Sequence, residues 1–405
     1  MKINKKPLSI YIHIPFCVRK CLYCDFLSSP ADDKTKEAYF QALLVQIREE
    51  AKQYAMYRVE TVFMGGGTPS VLPAENIAKL LKVLREFYDV AEDAEISIEV
   101  NPGTVSKEKL AVYRNAGVNR LSIGLQSAND RELKLLGRIH TLEDFKKTYE
   151  EAVKSGFNNI NIDLMSAIPQ QTVQSYQETL QTILGLEPPP THISAYSLII
   201  EEGTPFFENL PELPDEETDR ELYKITNDIL RKSGYHRYEI SNYAKPGFEC
   251  RHNKVYWQRG DYVGFGIGAA SLIENVRFSN ISDIESYVNH IGEFAKYDLK
   301  DEKNSCEWKD VTKLIYEEKE VLSVEEQMEE FMFLGLRLTE GVSEEEFYRT
   351  FGKEIEEVYP GLIKRFEEQK LMVSVWNEEK NETFAALTEY GLDVSNMVMA
   401  EFLLK

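Results

Sequence analysis

The sequence predicts an α/β protein in which an open, partial (β/α)6 barrel precedes a smaller α+β domain of winged-helix type. Six short β-rich runs recur in the first half of the chain, with amphipathic helical patterns between them. Such alternation predicts a parallel sheet with helices outside it. Polar and glycine-rich strings stand at the carboxyl ends of the runs, where βα barrels carry their functional residues.

The predicted barrel elements follow one another in regular order. The strands span residues 8–14, 59–65, 95–100, 119–125, 159–165 and 192–198. The helices span residues 36–54, 74–88, 107–115, 142–155 and 173–184. Pro73 directly precedes the second helix, and Gly117 and Gly156 directly follow the third and fourth, as helix boundaries require.

The βα alternation ends near Tyr243. The sequence predicts three parts: a barrel over 1–245, a connecting region over 246–300, and an acidic, helical, winged-helix-like domain over 301–405. Because residues 245–271 are rich in glycine and aromatic residues, we expect loop and irregular strand there. In the last part, amphipathic patterns predict helices over 323–338 and 343–351, and residues 371–375 with 384–387 predict a hairpin.

Charge and hydropathy exclude some classes of protein. The chain has 405 residues and a net charge of −21, and −14 of it falls in 301–405, which holds 12 Lys and Arg against 26 Asp and Glu. Such a surface repels phosphate backbones, so we expect no nucleic-acid partner. No apolar stretch approaches the ~18 residues that span a bilayer. We expect a soluble, cytoplasmic protein, and leave peripheral membrane contact and oligomeric state open.

Three of the five cysteines form a C-x3-C-x2-C motif just beyond the first strand: Cys17, Cys21 and Cys24. An odd cysteine count in a large chain favours metal binding over disulfides. Four thiolates satisfy an iron–sulfur cluster, whereas three leave one iron open to another ligand. The alternative is zinc, which prefers two C-x2-C pairs. Cys250 and His252 would complete a zinc site only across a long separation.

These motifs resemble those of a known family. The cysteine loop, with Tyr23 before its last Cys, resembles the radical SAM superfamily, named for S-adenosylmethionine (SAM). The string FMGGGTP at 63–69 resembles its glycine motif, although a tight turn explains GGG equally well. EVNPG, SIGLQS, SLIIEEGTPF, YEISNYAKPGFECRHNKVYW and FLGLRLTEGV resemble the oxygen-independent coproporphyrinogen III oxidase-like group, and within it the HemW-type haem chaperones. The resemblance covers nearly the whole chain and implies a radical SAM barrel.

The resemblance also implies the cofactors and their residues. The three cysteines would ligate a [4Fe–4S] cluster, and the SAM pocket would be lined by Tyr11, Tyr23, Gly66, Gly67, Thr68, Glu99, Gln126, Arg138 and Asp163. Glu99 would accept the ribose hydroxyls, Gln126 would contact the methionyl end, Arg138 would pair with the SAM carboxylate, and Asp163 would complete the adenosine side. Acidic groups suit hydroxyls, and the planar Arg fork suits a carboxylate. A single charged residue at a strand end is more often merely solvated.

A second site is implied for haem. His252-Asn253-Lys-Val-Tyr256-Trp257 matches the H-N-x-x-Y-W string that HemW-like proteins associate with haem. Histidine is a common axial ligand of haem iron, and Tyr and Trp offer flat apolar surface. The alternative is that His252 and Asn253 order a glycine-rich loop over the barrel mouth. Cys250 competes with His252 as the ligand.

The chain departs from the oxidases at two points and from the pattern of the whole group at a third. Coproporphyrinogen III oxidases of this group carry a fourth Cys two residues after the third, where this chain has Phe26, and they have an N-terminal extension before the motif. Both features favour the chaperone. In addition, Gln170 stands where the group usually has Gly, a residue that permits positive φ.

The function expected from the resemblance is that of a haem chaperone, which holds a [4Fe–4S] cluster and SAM, binds haem, and delivers it to haem-accepting proteins. Whether the chain is also an enzyme stays open, because delivery needs no chemical turnover. The alternatives are an oxygen-independent coproporphyrinogen III oxidase and a radical SAM enzyme that acts on another substrate.

Overall fold

The computed structural model describes residues 5–297 and 307–404, and its centre is one large sheet. Six parallel strands pair with one another in chain order: β1 (Lys6–Ile14), β2 (Tyr57–Gly66), β3 (Val90–Val100), β4 (Arg120–Gln126), β5 (Ile160–Ser166) and β6 (His192–Ser197). All six predicted strands are present, and the predicted partial (β/α)6 barrel is confirmed.

Helices cover the outside of these strands. They are α1 (Asp33–Glu50), α2 (Ala74–Phe87), α3 (Lys107–Ala116), α4 (Asp130–Leu135), α5 (Leu142–Lys154), α6 (Val173–Leu184), α7 (Pro205–Glu208) and α8 (Glu216–Lys232). Local signals set their ends: Thr141 and Asp144 form a capping box on α5, and Gly117 ends α3 at φ +99°. Each of the five predicted helices is present, and the short helix α4 is one that the sequence pattern missed.

Further strands extend the sheet at both edges. β7 (His236–Arg237) and β8 (Asn242–Ala244) lie beyond β6, and β9 (Tyr262–Phe265) lies parallel to β1 on the other side. Beyond β9 follow the antiparallel strands β10 (Ala270–Ile273), β11 (Val276–Asn280) and β12 (Tyr316–Val321). The region after the barrel therefore continues the main sheet.

The expectation of loop and irregular strand over 245–271 is wrong for the helix α9 (Arg251–Trp257) and for the regular strand β9, and the helix α10 (Ile284–Tyr297) follows outside that range. Tertiary contact explains α9. The Glu95 carboxylate on β3 accepts the backbone N–H groups of Arg251 and His252 at 3.1 and 3.2 Å. A carboxylate from a distant strand therefore caps this helix, and no local sequence signal carries that information.

The C-terminal part forms a second, smaller layer with its own core. After α11 (Trp308–Ile315) it contains α12 (Val324–Gly335), β13 (Val342–Ser343), α13 (Glu344–Phe351), α14 (Ile355–Val358), α15 (Leu362–Glu368), β14 (Met372–Asn377), β15 (Glu382–Leu387), α16 (Glu389–Asp393) and α17 (Ser395–Ala400). Its sheet has the order β13-β15-β14, and Met332, Phe347, Phe366 and Phe402 are central in its core. The smaller α+β domain and the β14–β15 hairpin are as predicted.

The junction between the two layers is polar and aromatic. The buried Glu330 of α12 accepts hydrogen bonds from both Arg259 (2.9 Å) and Arg277 (2.6 Å), and Arg337 lies 4.4 Å from the Trp257 ring centre. Val311 and Ile315 of α11 pack into the barrel core, and β12 pairs with β11, although both elements lie after residue 301. The predicted domain limits stay a prediction, and Cys306 lies outside the described residues.

Helix lengths and polarity bear on membrane insertion. In the ranges 5–297 and 307–404, every helix is too short or too polar to cross a bilayer. The cytoplasmic location stays a prediction.

Candidate cofactor site at the carboxyl ends of the barrel strands

The cysteine loop joins β1 to α1 and is held by its backbone. Cys17 donates its N–H to the Ser29 carbonyl at 3.2 Å, and Leu22 donates to the Leu136 carbonyl at 3.1 Å. The three thiols are half-buried and form no disulfide. Cys17 Sγ lies 3.4 Å from Thr68 Oγ1. The fold thus fixes the loop through main-chain contacts and leaves its sulfur atoms at the cavity wall.

The glycine string at the end of β2 lies directly against this loop. Gly66 has φ +108°, and a Cβ atom there would lie 2.4 Å from Cε1 of His13. A Cβ on Gly67 would lie 2.7 Å from the Phe16 carbonyl oxygen. No side chain fits at either position without displacing β1 or the cysteine loop. The exposed backbone therefore forms a cradle that a ligand can approach closely.

A cavity of about 310 Å³ lies between the cradle and the strand ends. Its lining includes eleven predicted residues, namely Cys17, Cys21, Tyr23, Cys24, Gly66, Gly67, Thr68, Glu99, Gln126, Arg138 and Asp163. A second cavity of about 290 Å³ shares Gly66, Glu99 and Asp163 with it and adds the other two, Tyr11 and His252. The structure therefore brings all thirteen predicted residues around two neighbouring cavities that share part of their lining.

Two half-buried carboxyl groups, Glu99 and Asp163, line both cavities, and the charge of Asp163 acts on Glu99. Burial raises the pKa of Glu99 to about 8, the charge of Asp163 adds to the rise, and the Gly66 N–H, which donates to Glu99 at 3.1 Å, opposes it. Burial also raises the pKa of Asp163, against hydrogen bonds from Asn161 (2.7 Å) and Ser122 (3.2 Å). A protonated carboxyl group both donates and accepts, so the pair suits a ligand with vicinal hydroxyls.

A hydrogen-bond network connects the cysteine loop to β4. Arg138 donates to Asn101 Oδ1 at 2.8 Å and to the Gly124 carbonyl at 2.6 Å, and its other nitrogen lies 3.7 Å from Cys21 Sγ. Asn101 in turn donates to Thr68 Oγ1 at 2.7 Å. Sequence reasoning missed Asn101, although the residue directly follows β3 in the string EVNPG, and that position was the available signal.

Gln126 and Tyr196 form the far wall. Tyr196 donates its hydroxyl to Gln126 Oε1 at 2.9 Å, and Gln126 has φ +73°, which is uncommon for a residue with a side chain. Such strain is maintained where the surroundings over-determine the geometry. Tyr196 was not predicted as a site residue. The available signal was its position on β6, where side chains alternate between the two faces of the strand.

His252 lies deep in the barrel, on α9, and not in a loop over the mouth. It is 1% exposed, its ring stacks on Phe63 at 5.2 Å, and its nitrogens contact Thr61 Oγ1 (2.7 Å, Nδ1) and the Tyr256 hydroxyl (2.9 Å, Nε2). Since Thr61 donates its own proton to Ser9 at 2.7 Å, Nδ1 carries the proton and Nε2 the lone pair. Burial lowers the pKa of His252 to about 3, so the ring is neutral.

Cys250, the competing haem ligand, is buried beside the same helix. Its Sγ lies 3.5 Å from Glu95 Oε1, and burial raises the pKa of the thiol to about 12. A neutral thiol is a poor ligand, because metals bind the thiolate. Among the two candidates, the neutral imidazole of His252 has the better electronic state.

The departures from the family pattern occupy defined places. Gln170 has φ +62°, so the position does require a left-handed backbone, and its side chain accepts from Arg131 at 2.5 Å. Phe26 is 61% exposed and lines both cavities. Hence the cavity reaches the surface at an aromatic ring where a fourth cysteine would stand.

The donor set fits an iron–sulfur cluster better than one metal ion. Over the described ranges, no three His, Cys, Asp or Glu side chains are close enough to hold a single ion. A cluster binds each cysteine through a different iron and so spreads its ligands. Three free thiols beside a cradle that excludes side chains are what such a cluster and a small ligand require.

Comparison with known proteins defines the class. Residues 11–183 match the radical SAM superfamily, and residues 322–375 match the HemN C-terminal domain. The solved structure titled as coproporphyrinogen III oxidase (HemN) from Escherichia coli, a radical SAM enzyme, matches with a TM-score of 0.80 over 98% of this chain and 90% of its own, at 23% identity. The chain therefore has the radical SAM fold.

Sequence comparison narrows the class. The heme chaperone HemW of Lactococcus lactis subsp. lactis is 36% identical over 99% of this chain and 98% of its own length, and that of Bacillus subtilis is 35% identical over 98% and 99%. HemW of Escherichia coli is 42% identical over 66% and 70%. The chain belongs to the HemW heme chaperone family.

Proposed function

We propose that this chain is a haem chaperone that holds a [4Fe–4S] cluster and SAM in its barrel, binds haem, and delivers it to haem-accepting proteins. The observation that carries the proposal is the match of nearly the whole chain to relatives named heme chaperone HemW, together with the gathering of the predicted residues around two neighbouring cavities.

The residues at the strand ends have complementary tasks in this proposal. Cys17, Cys21 and Cys24 would hold the cluster, which would supply one iron without a protein ligand for SAM. The backbone at Gly66 and Gly67 lets SAM approach closely. Glu99 and Asp163 hydrogen-bond hydroxyls, and Arg138, held by Asn101, presents its guanidinium beside the cysteine loop.

His252 is the proposed haem ligand, and the structure supports it through the chemical state of the ring. The ring is neutral, and its Nε2 lone pair is taken by the Tyr256 hydroxyl. Haem binding through this atom therefore requires Tyr256 to move its hydroxyl away. The hydroxyl of Tyr256 thus competes with haem iron for the Nε2 lone pair of His252.

The alternative function is oxidative decarboxylation, as the name of the structural relative in Escherichia coli indicates for that protein. At 23% sequence identity, this structural similarity establishes the fold but does not indicate the activity of this chain. Phe26 replaces the fourth cysteine of the oxidases and lies at the cavity entrance. This replacement favours the chaperone.

The proposal is tested on anaerobically reconstituted protein, with three measurements on one sample. We expect a Soret band on haem titration, transfer of haem to an apo-haem protein, and no release of CO2 from coproporphyrinogen III. CO2 release would establish the oxidase instead. Absence of a Soret change, with an intact cluster and SAM cleavage, would point to a radical SAM enzyme with another substrate.

A further inference from the structure

Arg120, at the beginning of β4, is a buried cation without a hydrogen-bond partner. It is 2% exposed, and its buried Nε has no acceptor within reach. Over residues 5–297 and 307–404, no hydrogen bond or salt bridge of its guanidinium is found, and the acidic groups that attract it at longer range are Glu95 and Asp163. Burying a charge without hydrogen bonds is costly, so such a group marks a site for an absent acceptor.

The unpaired guanidinium lies at the wall of the inner cavity. Side chains alternate along a strand, so Arg120 shares the inward face of β4 with Ser122, Gly124 and Gln126. Arg120, Ser122 and His252 line the same cavity of about 290 Å³. The donors of Arg120 therefore lie at the end of the cavity beyond the SAM residues.

Nearby carboxylates do not fill this role, because other donors hold them. Glu95 accepts from the N–H groups of Arg251 and His252 and from the Cys250 thiol. Asp163 accepts from Asn161 and Ser122. Glu99, whose pKa burial raises to about 8, is largely protonated at neutral pH and repels an incoming anion little.

We propose that Arg120 is a carboxylate-binding residue at the inner end of the barrel cavity, and that it takes a carboxylate side chain of the ligand that reaches past the cluster. The planar fork of Arg suits bidentate capture of a carboxylate. The inference rests on the proposed function: haem carries two propionates and SAM one carboxylate, and the latter already has Arg138 beside the cysteine loop. Haem is therefore the expected source.

The first arm of the test changes the ligand and leaves the protein intact. Cluster-loaded wild-type protein is titrated with haem and with haem dimethyl ester, whose carboxylates are capped, at one fixed detergent concentration. A parallel titration compares SAM with its decarboxylated analogue. We expect haem to bind about 10-fold or more tightly than its ester.

The second arm changes the residue. Arg120→Met should remove the preference for haem over the ester while leaving ester binding unchanged, and Arg120→Lys should keep part of it, because an ammonium keeps the charge and loses the fork. The haem-to-ester affinity ratio of each variant is compared with that of wild type. This comparison separates the carboxylate contact from the greater hydrophobicity of the ester. Circular dichroism and cluster content show whether each variant folds. If Arg120→Met does not fold, the affinities of Arg120→Lys test the proposal.

The outcomes separate the subsite from the function. Loss of discrimination in the SAM pair instead of the haem pair supports the subsite and names SAM as the source. Equal binding within both pairs in wild type, or a preference that the Arg120 variants retain, overturns the subsite and leaves Arg120 as a counter-charge for Glu95. Absence of haem binding in wild type overturns the proposed function, and the SAM pair then decides the subsite alone.

Discussion

The two segments that carry the sequence motifs, the cysteine loop and helix α9, differ in burial and in how far their side chains are already hydrogen-bonded. The cysteine loop carries half-buried, unbridged thiols on a backbone that neighbouring segments clamp. Helix α9 carries His252 fully buried, with both ring nitrogens hydrogen-bonded and its ring stacked on Phe63. The thiols of the cysteine loop lie at a cavity wall, whereas both ring nitrogens of His252 are already hydrogen-bonded within the protein.

Because of this difference, substitutions in the two segments should affect cofactor binding and the free energy of unfolding in different proportions. Replacing a ligand that faces a cavity removes the cofactor and disturbs the fold little. Replacing a ligand that also satisfies buried hydroxyl groups disturbs both, because those groups are left without partners. The predictions below use this contrast, from the largest expected effect to the smallest.

Cys21→Ala should abolish the cluster, because two thiolates cannot hold the cube. Iron and sulfide content and charge-transfer absorbance measure the loss after anaerobic reconstitution. The free energy of unfolding of the cluster-free protein should change by less than about 0.5 kcal/mol. Cys250→Ala is the matched control: it should retain the cluster and destabilise the fold. Iron and sulfide at wild-type stoichiometry in Cys21→Ala would contradict the ligand assignment.

Glu99→Gln should change how the stability of the cluster-free protein depends on pH. The folded pKa of Glu99 is raised from 4.5 to about 8, so between these values the unfolded chain releases a proton that the folded chain retains. This carboxyl group therefore lowers stability as pH rises from 4.5 to 8, by a few kcal/mol in total. Denaturant unfolding at pH 5, 6.5 and 8 should give a difference between variant and wild type that grows with pH. A constant difference would show that Glu99 ionises normally.

His252→Ala should lower the free energy of unfolding by about 3 kcal/mol, because it leaves the Thr61 and Tyr256 hydroxyls unpaired and a void beside Phe63. Haem affinity should fall in the same variant while the cluster stays. Unchanged haem affinity would remove His252 from the ligand role.

Tyr256→Phe isolates the Nε2 bond within the same region. We expect it to cost about 1 kcal/mol of stability and to raise haem affinity, because the lone pair of His252 becomes free. Haem titration and chemical unfolding measure the two effects. A fall in haem affinity would mean that Tyr256 contacts haem itself or that His252 does not ligate it.

Gln170→Gly tests the rim of the barrel, where the effect should be smallest. A left-handed conformation costs a residue with a side chain about 1 kcal/mol, and the bond to Arg131 returns part of it. The variant should therefore be more stable by about 0.5 kcal/mol in chemical unfolding. Gly103→Ala, at φ +81° in open space, should show the opposite sign. If Gln170→Gly is less stable than wild type, the Arg131 hydrogen bond stabilises the protein by more than the left-handed backbone costs.

Much of the fold follows from the sequence, and the errors after residue 245 share one cause. The six parallel strands and their helices repeat a strong local pattern, and the hairpin of β14 and β15 is equally local. Helix α9 and strands β9 to β11 were missed as regular structure, because α9 is capped by Glu95 from β3 and β9 pairs with β1 some 250 residues earlier. Short elements whose partners are distant leave little trace in their own residues.

The candidate site divides in the same way. The cysteine spacing and the glycine string named residues that the fold then placed around one cavity. No sequence pattern indicated that Tyr256 covers Nε2 of His252, or that Asn101 connects Thr68 to Arg138. These are contacts between side chains on separate elements, and only the folded chain defines them.

The sequence by itself determined the kind of chemistry, since three thiols in one short loop and the glycines beside them keep their meaning wherever the loop is placed. The tertiary structure alone decided the state of each group: that Glu99 has a raised pKa, that His252 is neutral and covered, and that Arg120 Nε finds no hydrogen-bond partner in the part of the chain that the structure describes. The physical reason is that residue type fixes which bonds a group can make, whereas burial and distant neighbours fix which of those bonds are already made.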